Sequence, residues 1–290
     1  KAAYSCGKPA LGVGAGNVPA YMEKSCNLRQ AVNDIVMSKS FDNGMICASE
    51  QAVIIDKEIY DEAKEEFKKF GVYFASKKEK KLLESFMFGV NSKEDNENAR
   101  LNPNIVGKPA TWIAEQAGFV VPENTVIIMV ECASVGVEEP LTREKLSPVL
   151  AMLKSKNSEE GILLSKQMVE FNGLGHSAAI HTADLELTKK FGDIIPAIRI
   201  IANSPSTFGG IGNVYNSFIP SLTLGCGSYG HNSVAGNVSA VNLLNVKKVG
   251  QRRNNMQWFK IPSKIYFERN SIEYLHQMKE MKKVLIVTDR

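Results

Sequence analysis

The sequence predicts an α/β protein built around a mainly parallel β-sheet, and three observations support this prediction. Apolar runs of strand length alternate along the chain with helical patterns of about ten to fifteen residues, as in βαβ units. Several of these runs contain almost no polar residue, which is typical of buried strands. Apolar residues make up 44% and charged residues 23% of the 290 residues, an ordinary composition for a globular protein with a large core.

The first half of the chain predicts two helices and two strands. The apolar residues that repeat at helical spacing within Asn27–Ser40 are Leu28, Ala31, Val32, Ile35 and Val36. Gln51–Asp56 reads QAVIID and predicts a strand, and the charged, amphipathic stretch Lys57–Phe70 predicts the helix that follows it. Thr125–Glu131 reads TVIIMVE and predicts a second, buried strand.

The second half continues the alternation. Pro148–Leu153 predicts a strand and Ser158–Phe171 a helix. Ser177–Thr182 and Ala197–Asn203 predict two further strands, with a short helix between them. These elements extend the α/β pattern to about residue 203.

From Ser204 onward the amino-acid composition of the sequence changes. The glycines of this region are Gly209, Gly210, Gly212, Gly225, Gly227, Gly230 and Gly236. Such a density of glycine, with serine and asparagine, predicts loops and tight turns rather than packed helices. Asn254–Phe267 then alternates as a β-hairpin does, and we interpret it as an inter-domain linker. Val284–Thr288 reads as a buried parallel strand that needs neighbours, so we expect the chain to be part of a longer polypeptide.

Composition excludes several classes of partner. The 35 basic and 31 acidic residues give a net charge of only +4, so we expect no nucleic-acid partner. No run approaches the ~18 apolar residues of a membrane span, and no secretion leader is recognisable, so we expect no membrane association. Five scattered cysteines without a C-x-x-C pair indicate a reducing compartment, the cytoplasm, and neither disulfides nor a metal site.

Cys47 is the first candidate for chemistry. It follows an Asn-Gly pair that lets the chain turn sharply, and small residues come after it, so a substrate can reach the sulfur. A nucleophilic cysteine needs a polar site rich in hydrogen-bond donors, because a free thiol titrates near ~8.5. From these residues alone, a buried and inert cysteine is the favoured interpretation, and a nucleophilic cysteine is the alternative.

Other candidates are equally open when each is considered alone. His176 follows Gly-Leu-Gly ahead of an apolar strand, where it can serve proton transfer or simply be structural. The stretch Gly12–Gly16 lacks the spacing of the dinucleotide-binding fingerprint and can be a plain turn. Glu144 can be an ordinary surface carboxylate.

Four motifs that occur in a fixed order along the chain favour the functional interpretation of these residues. Phe41–Gln51 reads FDNGMICASEQ, and this stretch is similar to the nucleophile loop of acylating aldehyde dehydrogenases, above all the bifunctional aldehyde–alcohol dehydrogenases. Gly12–Pro19 resembles the stretch that closes the family's cofactor domain, and Glu144–Pro148 resembles its glutamate–x–aromatic–glycine–proline motif. Leu222–Ser228 resembles its late glycine-rich loop. The resemblance extends over nearly the whole chain.

The resemblance implies a role for each matching residue. Cys47 would be the nucleophile, and His176 would face the thiol as an acid/base or thiol-activating group. Gly14 would border the nicotinamide side of NAD, Glu144 would accept hydrogen bonds from the nicotinamide ribose, and Leu224 would pack against the cofactor. No metal ligand is implied in this chain, since the iron of the family belongs to an alcohol dehydrogenase half beyond Arg290.

The implied reaction converts acyl-CoA and NADH into an aldehyde, CoA and NAD, with acetyl-CoA and acetaldehyde as the expected pair. Hydrolytic aldehyde dehydrogenases carry a water-activating glutamate where this chain has Val13, and residues 13–19 contain no carboxylate. CoA, rather than water, would therefore release the acyl group. Relatives of this kind form homo-oligomers that stack into helical filaments. The alternatives are a monofunctional acylating dehydrogenase, or a filament-assembly segment without activity of its own.

The resemblance also implies a division of the chain into parts. Residues 1–18 would be the tail of an NAD-binding domain, and residues 19–203 the thiol-bearing, aldehyde-dehydrogenase-like catalytic domain. Residues 204–250 would form the glycine-rich end of that module. Residues 251–280 would form the hairpin linker, and residues 281–290 the first strand of an alcohol dehydrogenase domain.

Overall fold

The computed structural model describes residues 2–251 and 269–277. Within them, the strands are β1 (Val18–Met22), β2 (Glu50–Asp56), β3 (Val72–Phe74), β4 (Ile127–Glu131), β5 (Val149–Ser155), β6 (Gly175–His181), β7 (Ala197–Ala202), β8 (Leu224–Cys226) and β9 (Ala235–Asn237). The helices are α1 (Ala2–Ser5), α2 (Leu28–Ser40), α3 (Tyr60–Lys69), α4 (Lys77–Phe88), α5 (Ala110–Ala117), α6 (Ser158–Asn172), α7 (Leu185–Ile194) and α8 (Ser206–Ile211). The chain divides into two units, Lys1–Leu244 and Asn245–Arg290.

Strands β1 to β7 form one parallel sheet in the order β3-β4-β5-β2-β1-β6-β7. Tyr21 of β1 lies opposite Ile54 of β2 and Ile180 of β6, so β1 and β2 are central strands of the sheet. Because parallel strands begin at the same edge, the segments that enter β1, β2 and β6 meet there. This edge collects Gly16, Cys47 and His176, and the short strands β8 and β9 pair separately and antiparallel.

Helices cover both faces of the sheet, as the continuous apolar strands require. On one face, Ile35 of α2 and Phe67 of α3 pack with Val53 of β2 in a fully buried cluster. On the other, Leu83 of α4 and Phe191 of α7 belong to a second, larger cluster. Each such side chain contributes roughly 1.5–3 kcal/mol of burial free energy, so the two clusters hold the sheet rigid.

Local signals in the sequence set the ends of these helices. The Asn27 side chain accepts a hydrogen bond from the Gln30 N–H and begins α2. Ser76 and Glu79 form a reciprocal capping box at the start of α4. The same helix ends at Gly89, whose φ of 70° suits a residue without a Cβ.

The predicted elements of the α/β part are confirmed, with ends that move by a few residues. Four further strands and α-helices between residues 18 and 202, namely β1, β3, α4 and α5, were not predicted. Proline is disfavoured in a central strand because it lacks the donor N–H. Pro19 therefore argues against a strand at this position, and the sequence pattern does not predict β1. The structure accommodates Pro19 through a register shift between Val18 and Pro19 in the pairing with β2.

The prediction of loops alone after Ser204 is wrong at one point, because α8 is a packed helix in this region. Its two glycines allow close packing. A Cβ on Gly209 would lie 2.7 Å from Ile201 Cγ2, and a Cβ on Gly210 would lie 2.7 Å from Ala48 Cβ. Glycine there serves contact with the sheet and the Cys47 turn rather than flexibility.

Two expectations fall outside the described residues, namely the hairpin Asn254–Phe267 and the strand Val284–Thr288. The division into domains at residues 18/19 and 203/204 stays a prediction. No helix in the described part of the chain is long and apolar enough to cross a membrane.

Candidate active site

Cys47 lies in a tight turn between α2 and β2. Helix α2 gives way to the single turn Phe41–Gly44, in which Asp42 and Asn43 both have a φ of 50°. The Asn43 side chain donates to the Gly107 carbonyl at 2.9 Å, which offsets the cost of this left-handed backbone. A Cβ on Gly44 would come within 2.6 Å of a backbone carbonyl, so this turn packs too closely for a larger residue. The turn holds Cys47 half-buried just ahead of β2, which begins at Glu50.

Gly16 is the point where three of the sequence-predicted residues meet. A Cβ on Gly16 would lie 2.0 Å from the Cys47 carbonyl oxygen and 3.3 Å from Cδ2 of His176. The Gly16 N–H donates to Oε1 of Glu144 at 3.0 Å. The segments that carry Cys47, His176 and Glu144 therefore converge on one buried glycine, although they are far apart in sequence.

The two other predicted residues lie beside this centre. A Cβ on Gly14 would lie 3.0 Å from Sγ of Cys226, so the stretch before β1 runs against strand β8. Leu224 of β8 is 1% exposed, and its Cδ1 lies 3.7 Å from the Cβ position of Gly210 in α8. The roles of Gly14 and Leu224 in cofactor binding stay predictions.

His176 is fully buried in the described structure. Its Nδ1 is 3.0 Å from Oγ of Ser177, and its Nε2 has no hydrogen-bond partner among the described atoms. Burial, together with a smaller effect of the positive charge of Arg199, lowers the pKa of His176 to about 3. The imidazole is therefore neutral near pH 7, with one buried ring nitrogen that no described atom bonds.

The charges around Cys47 have opposing effects. Burial raises the pKa of the Cys47 thiol and the negative charge of Glu144 raises it as well, whereas the positive charge of Arg199 lowers it. Burial also raises the pKa of Glu144, while the Gly16 N–H and the charge of Lys39 oppose that rise. Burial and Glu144 thus oppose formation of the Cys47 thiolate, and the positive charge of Arg199 favours it.

Sequence analysis missed a set of hydrogen bonds, here called the Lys145 clamp, between the loop that carries Glu144 and strand β2. Lys145 is fully buried, and its Nζ donates to the carbonyls of Gln51 at 3.0 Å, Leu141 at 2.7 Å and Arg143 at 2.9 Å. Its backbone N–H donates to Oε1 of Gln51 at 3.0 Å. These bonds join the loop next to Glu144 to the strand that follows Cys47. No residue pattern signals such a clamp, since it depends on burial.

Sequence analysis also missed Arg199, for which a signal did exist. Ala197–Ala202 reads AIRIIA, a strand with a single cation among apolar residues. A charge inside an apolar strand is costly unless it is bonded, so it marks a residue with a specific role.

The arrangement fits an NAD-type cofactor in part. The Glu144 carboxylate offers acceptor oxygens of the kind that bind sugar hydroxyls, and the backbone at Gly14 and Gly16 leaves no room for side chains. Among the described residues, no group of histidine, cysteine and carboxylate side chains is arranged to hold a metal ion.

Comparisons with known proteins identify the relatives of the chain. No protein-family profile matches it. It is 72% identical over all 290 residues to the aldehyde–alcohol dehydrogenase of Streptococcus pneumoniae, and it spans 33% of that protein. An acetylating aldehyde dehydrogenase from Geobacillus thermoglucosidasius is 41% identical, with a TM-score of 0.78 over 87% of this chain and 55% of that one.

A third comparison concerns a solved complex. A propionaldehyde dehydrogenase from Rhodopseudomonas palustris, with bound CoA and an acylated cysteine, is 25% identical. It matches with a TM-score of 0.68 over 80% of this chain and 50% of that one. The chain therefore corresponds, in sequence and in fold, to the acylating aldehyde dehydrogenase region of aldehyde–alcohol dehydrogenases, about a third of their length.

Proposed function

We propose that this chain is the thiol-bearing part of an enzyme that converts acyl-CoA and NADH into an aldehyde, CoA and NAD. Acetyl-CoA and acetaldehyde are the proposed pair. The observation that carries the proposal is the convergence of Cys47, His176 and Glu144 on Gly16. A nucleophile, a neutral imidazole and a carboxylate suited to a sugar hydroxyl are carried by segments that meet at one buried glycine, as covalent acyl transfer with a nucleotide cofactor requires.

Cys47 forms and breaks the covalent bond. Its thiolate attacks the carbonyl carbon of acyl-CoA, and the bond to the CoA sulfur breaks, so CoA leaves as a thiolate that takes up a proton. When bound, NADH supplies the hydride that reduces the resulting thioester. Collapse of the Cys47 thiohemiacetal then releases the aldehyde and returns the thiolate. The backbone N–H of Cys47 contributes to stabilising the negative oxygen of these intermediates.

His176 acts in this scheme as a neutral group. A histidine whose pKa is about 3 does not store a proton at pH 7. Its unpartnered Nε2 can still form a hydrogen bond in the site, which orients the acyl oxygen or passes a proton transiently. This restricts the predicted acid/base role to one without a lasting imidazolium.

Glu144, Gly14 and Leu224 are proposed to hold NAD. The carboxylate of Glu144 is fixed by the Gly16 N–H on one oxygen and can accept from the nicotinamide ribose. Gly14 lets the backbone approach the nicotinamide side, and Leu224 supplies apolar contact near it.

Water is not activated in this scheme. Residues 13–19 contain no carboxylate, and Val13, at the position of the water-activating glutamate of hydrolytic relatives, is 49% exposed. General-base assistance contributes ~100- to 10,000-fold, so hydrolysis of the Cys47 thioester should be orders of magnitude slower than transfer to CoA.

The test follows aldehyde oxidation by the appearance of NADH in the full-length protein, with and without CoA, together with analysis of the product. Rapid oxidation that requires CoA and yields acyl-CoA supports the proposal. Rapid formation of free carboxylic acid without CoA would contradict it. A Cys47→Ala variant should lose acyl transfer and keep alcohol oxidation, which belongs to residues beyond this chain.

Assembly and location are proposed on the family resemblance. A homo-oligomer that stacks into helical filaments is proposed, in the cytoplasm. Deletion of residues 254–267 from the full-length protein should shorten its oligomers in sedimentation experiments, and an unchanged sedimentation profile would count against this role.

A further inference from the structure

Arg199 is a buried cation that makes no ion pair with any described residue. It is only 2% exposed, on the edge strand β7. Removing a charge from water costs several kcal/mol unless the protein compensates for it, and a carboxylate partner is the usual compensation. An arginine buried in this way marks a place where positive charge itself is useful.

The bonds of Arg199 join two segments of the site. Its Nη1 donates to the His176 carbonyl at 2.9 Å, and its Nη2 donates to the Gly225 carbonyl at 2.5 Å. Its Nε donates to Oδ1 of Asn237 at 2.8 Å. All three acceptors are neutral, so the guanidinium is held in place while its net charge remains.

The charge of Arg199 affects the pKa values of both Cys47 and His176. It lowers the pKa of Cys47, which favours the thiolate, and it also lowers the pKa of His176, which disfavours the imidazolium. The other titratable groups around Cys47 are Glu144 and Cys226, and both raise the pKa of its thiol. Arg199 is thus the cation that opposes them.

We propose that Arg199 is a positioning residue that supplies the positive charge stabilising the Cys47 thiolate, a task that His176 does not perform. It also fixes the strand that carries His176 through the His176 carbonyl. This inference rests on the proposed function of Cys47 as the nucleophile. The two tasks of the histidine in a cysteine–histidine pair are thereby divided. Arg199 supplies the positive charge, and His176 supplies the hydrogen bond.

The test measures the rate at which iodoacetamide alkylates Cys47 as a function of pH, with peptide mass spectrometry to select Cys47. The full-length protein is used without acyl-CoA, so the result does not depend on turnover. Arg199→Met should raise the midpoint of the profile by about one pH unit and slow alkylation below the midpoint about tenfold. Arg199→Lys, which retains the charge, should shift it much less.

Two further variants complete the comparison. Arg29→Met removes the same charge from a side chain that is 86% exposed, and it should leave the profile unchanged. His176→Gln should also leave the midpoint unchanged. An unshifted midpoint in Arg199→Met overturns the proposal. An equal shift in His176→Gln or in Arg199→Lys overturns it as well, since the effect then comes from the imidazole or from lost hydrogen bonds.

If Arg199→Met does not fold, the alkylation profile of Asn237→Asp tests the proposal instead. It places a carboxylate at the position 2.8 Å from Nε and neutralises the guanidinium, although the Asn237 amide no longer donates to nearby carbonyls. A raised midpoint in this variant supports the proposal and an unchanged one overturns it. Failure of the proposed function would be seen separately, as acyl transfer that survives Cys47→Ala.

Discussion

A methyl group added at Gly16 should disable the site while the fold persists. In Gly16→Ala the new Cβ would lie 2.0 Å from the Cys47 carbonyl oxygen, whereas such contacts are not found below 3.0 Å. The Cys47 turn or the Gly16 backbone must therefore move by about 1 Å, and such overpacking costs roughly 1–3 kcal/mol of stability. A misplacement of about 1 Å at a reacting group can lower the rate about 100-fold.

The assay measures kcat for acetyl-CoA reduction and the Tm of the full-length protein. Gly16→Ala should lower kcat by about two orders of magnitude, with a fall in Tm of several degrees at most. Gly192→Ala is the matched control, since its Cβ would meet only Ile200 Cγ1 at 3.9 Å and should leave kcat unchanged. A Gly16→Ala enzyme with the kcat and Tm of the unmodified protein would refute the reasoning.

Two more predictions concern buried basic side chains, Lys145 and His181. Lys145→Met removes the donor to three backbone carbonyls, so the free energy of unfolding should fall by at least ~1–3 kcal/mol, and the KM for NADH should rise because Glu144 is adjacent. Urea denaturation and initial rates measure this, and an unchanged KM would contradict it. Burial lowers the pKa of His181 to about 4, so between about pH 6.5 and pH 4 the unfolded state binds a proton that the folded state does not. Acid should therefore destabilise the protein by ~2 kcal/mol at pH 5 through this residue, and His181→Gln should narrow the Tm difference between pH 7 and pH 5. An equal difference in both proteins would contradict the assignment.

The sequence predicted the strands that consist of continuous apolar runs. The predictions Gln51–Asp56 and Thr125–Glu131 found β2 and β4 because burial on both faces leaves no polar residue to interrupt the pattern. Strand β1 was missed because Pro19 and the glycines before it contradict strand propensity, and the register shift that accommodates them belongs to the fold. Helix α8 was missed because its glycines read as turns, whereas they serve close packing.

The residues of the candidate site that stand in a motif could be predicted from the sequence. The residues whose role depends on burial in the fold could not. Cys47 and Glu144 stand in stretches that resemble family motifs. Arg199 donates to the carbonyls of His176 and Gly225, and Lys145 donates to the carbonyl of Gln51. These carbonyls are distant in sequence from their donors, and only the fold brings them together. The state of His176 also depends on the fold, because full burial is what keeps its imidazole neutral.

The most direct test of the central claim is to trap the acyl group. The full-length protein is incubated with acetyl-CoA in the absence of NADH, quenched in acid and digested, and each of its cysteine peptides is examined by mass spectrometry. We expect one acetyl group on Cys47, its loss on addition of CoA, and no trapped acetyl group in Cys47→Ala. An acetyl group on another cysteine, or turnover by Cys47→Ala, would contradict the claim that Cys47 is the acyl-carrying nucleophile.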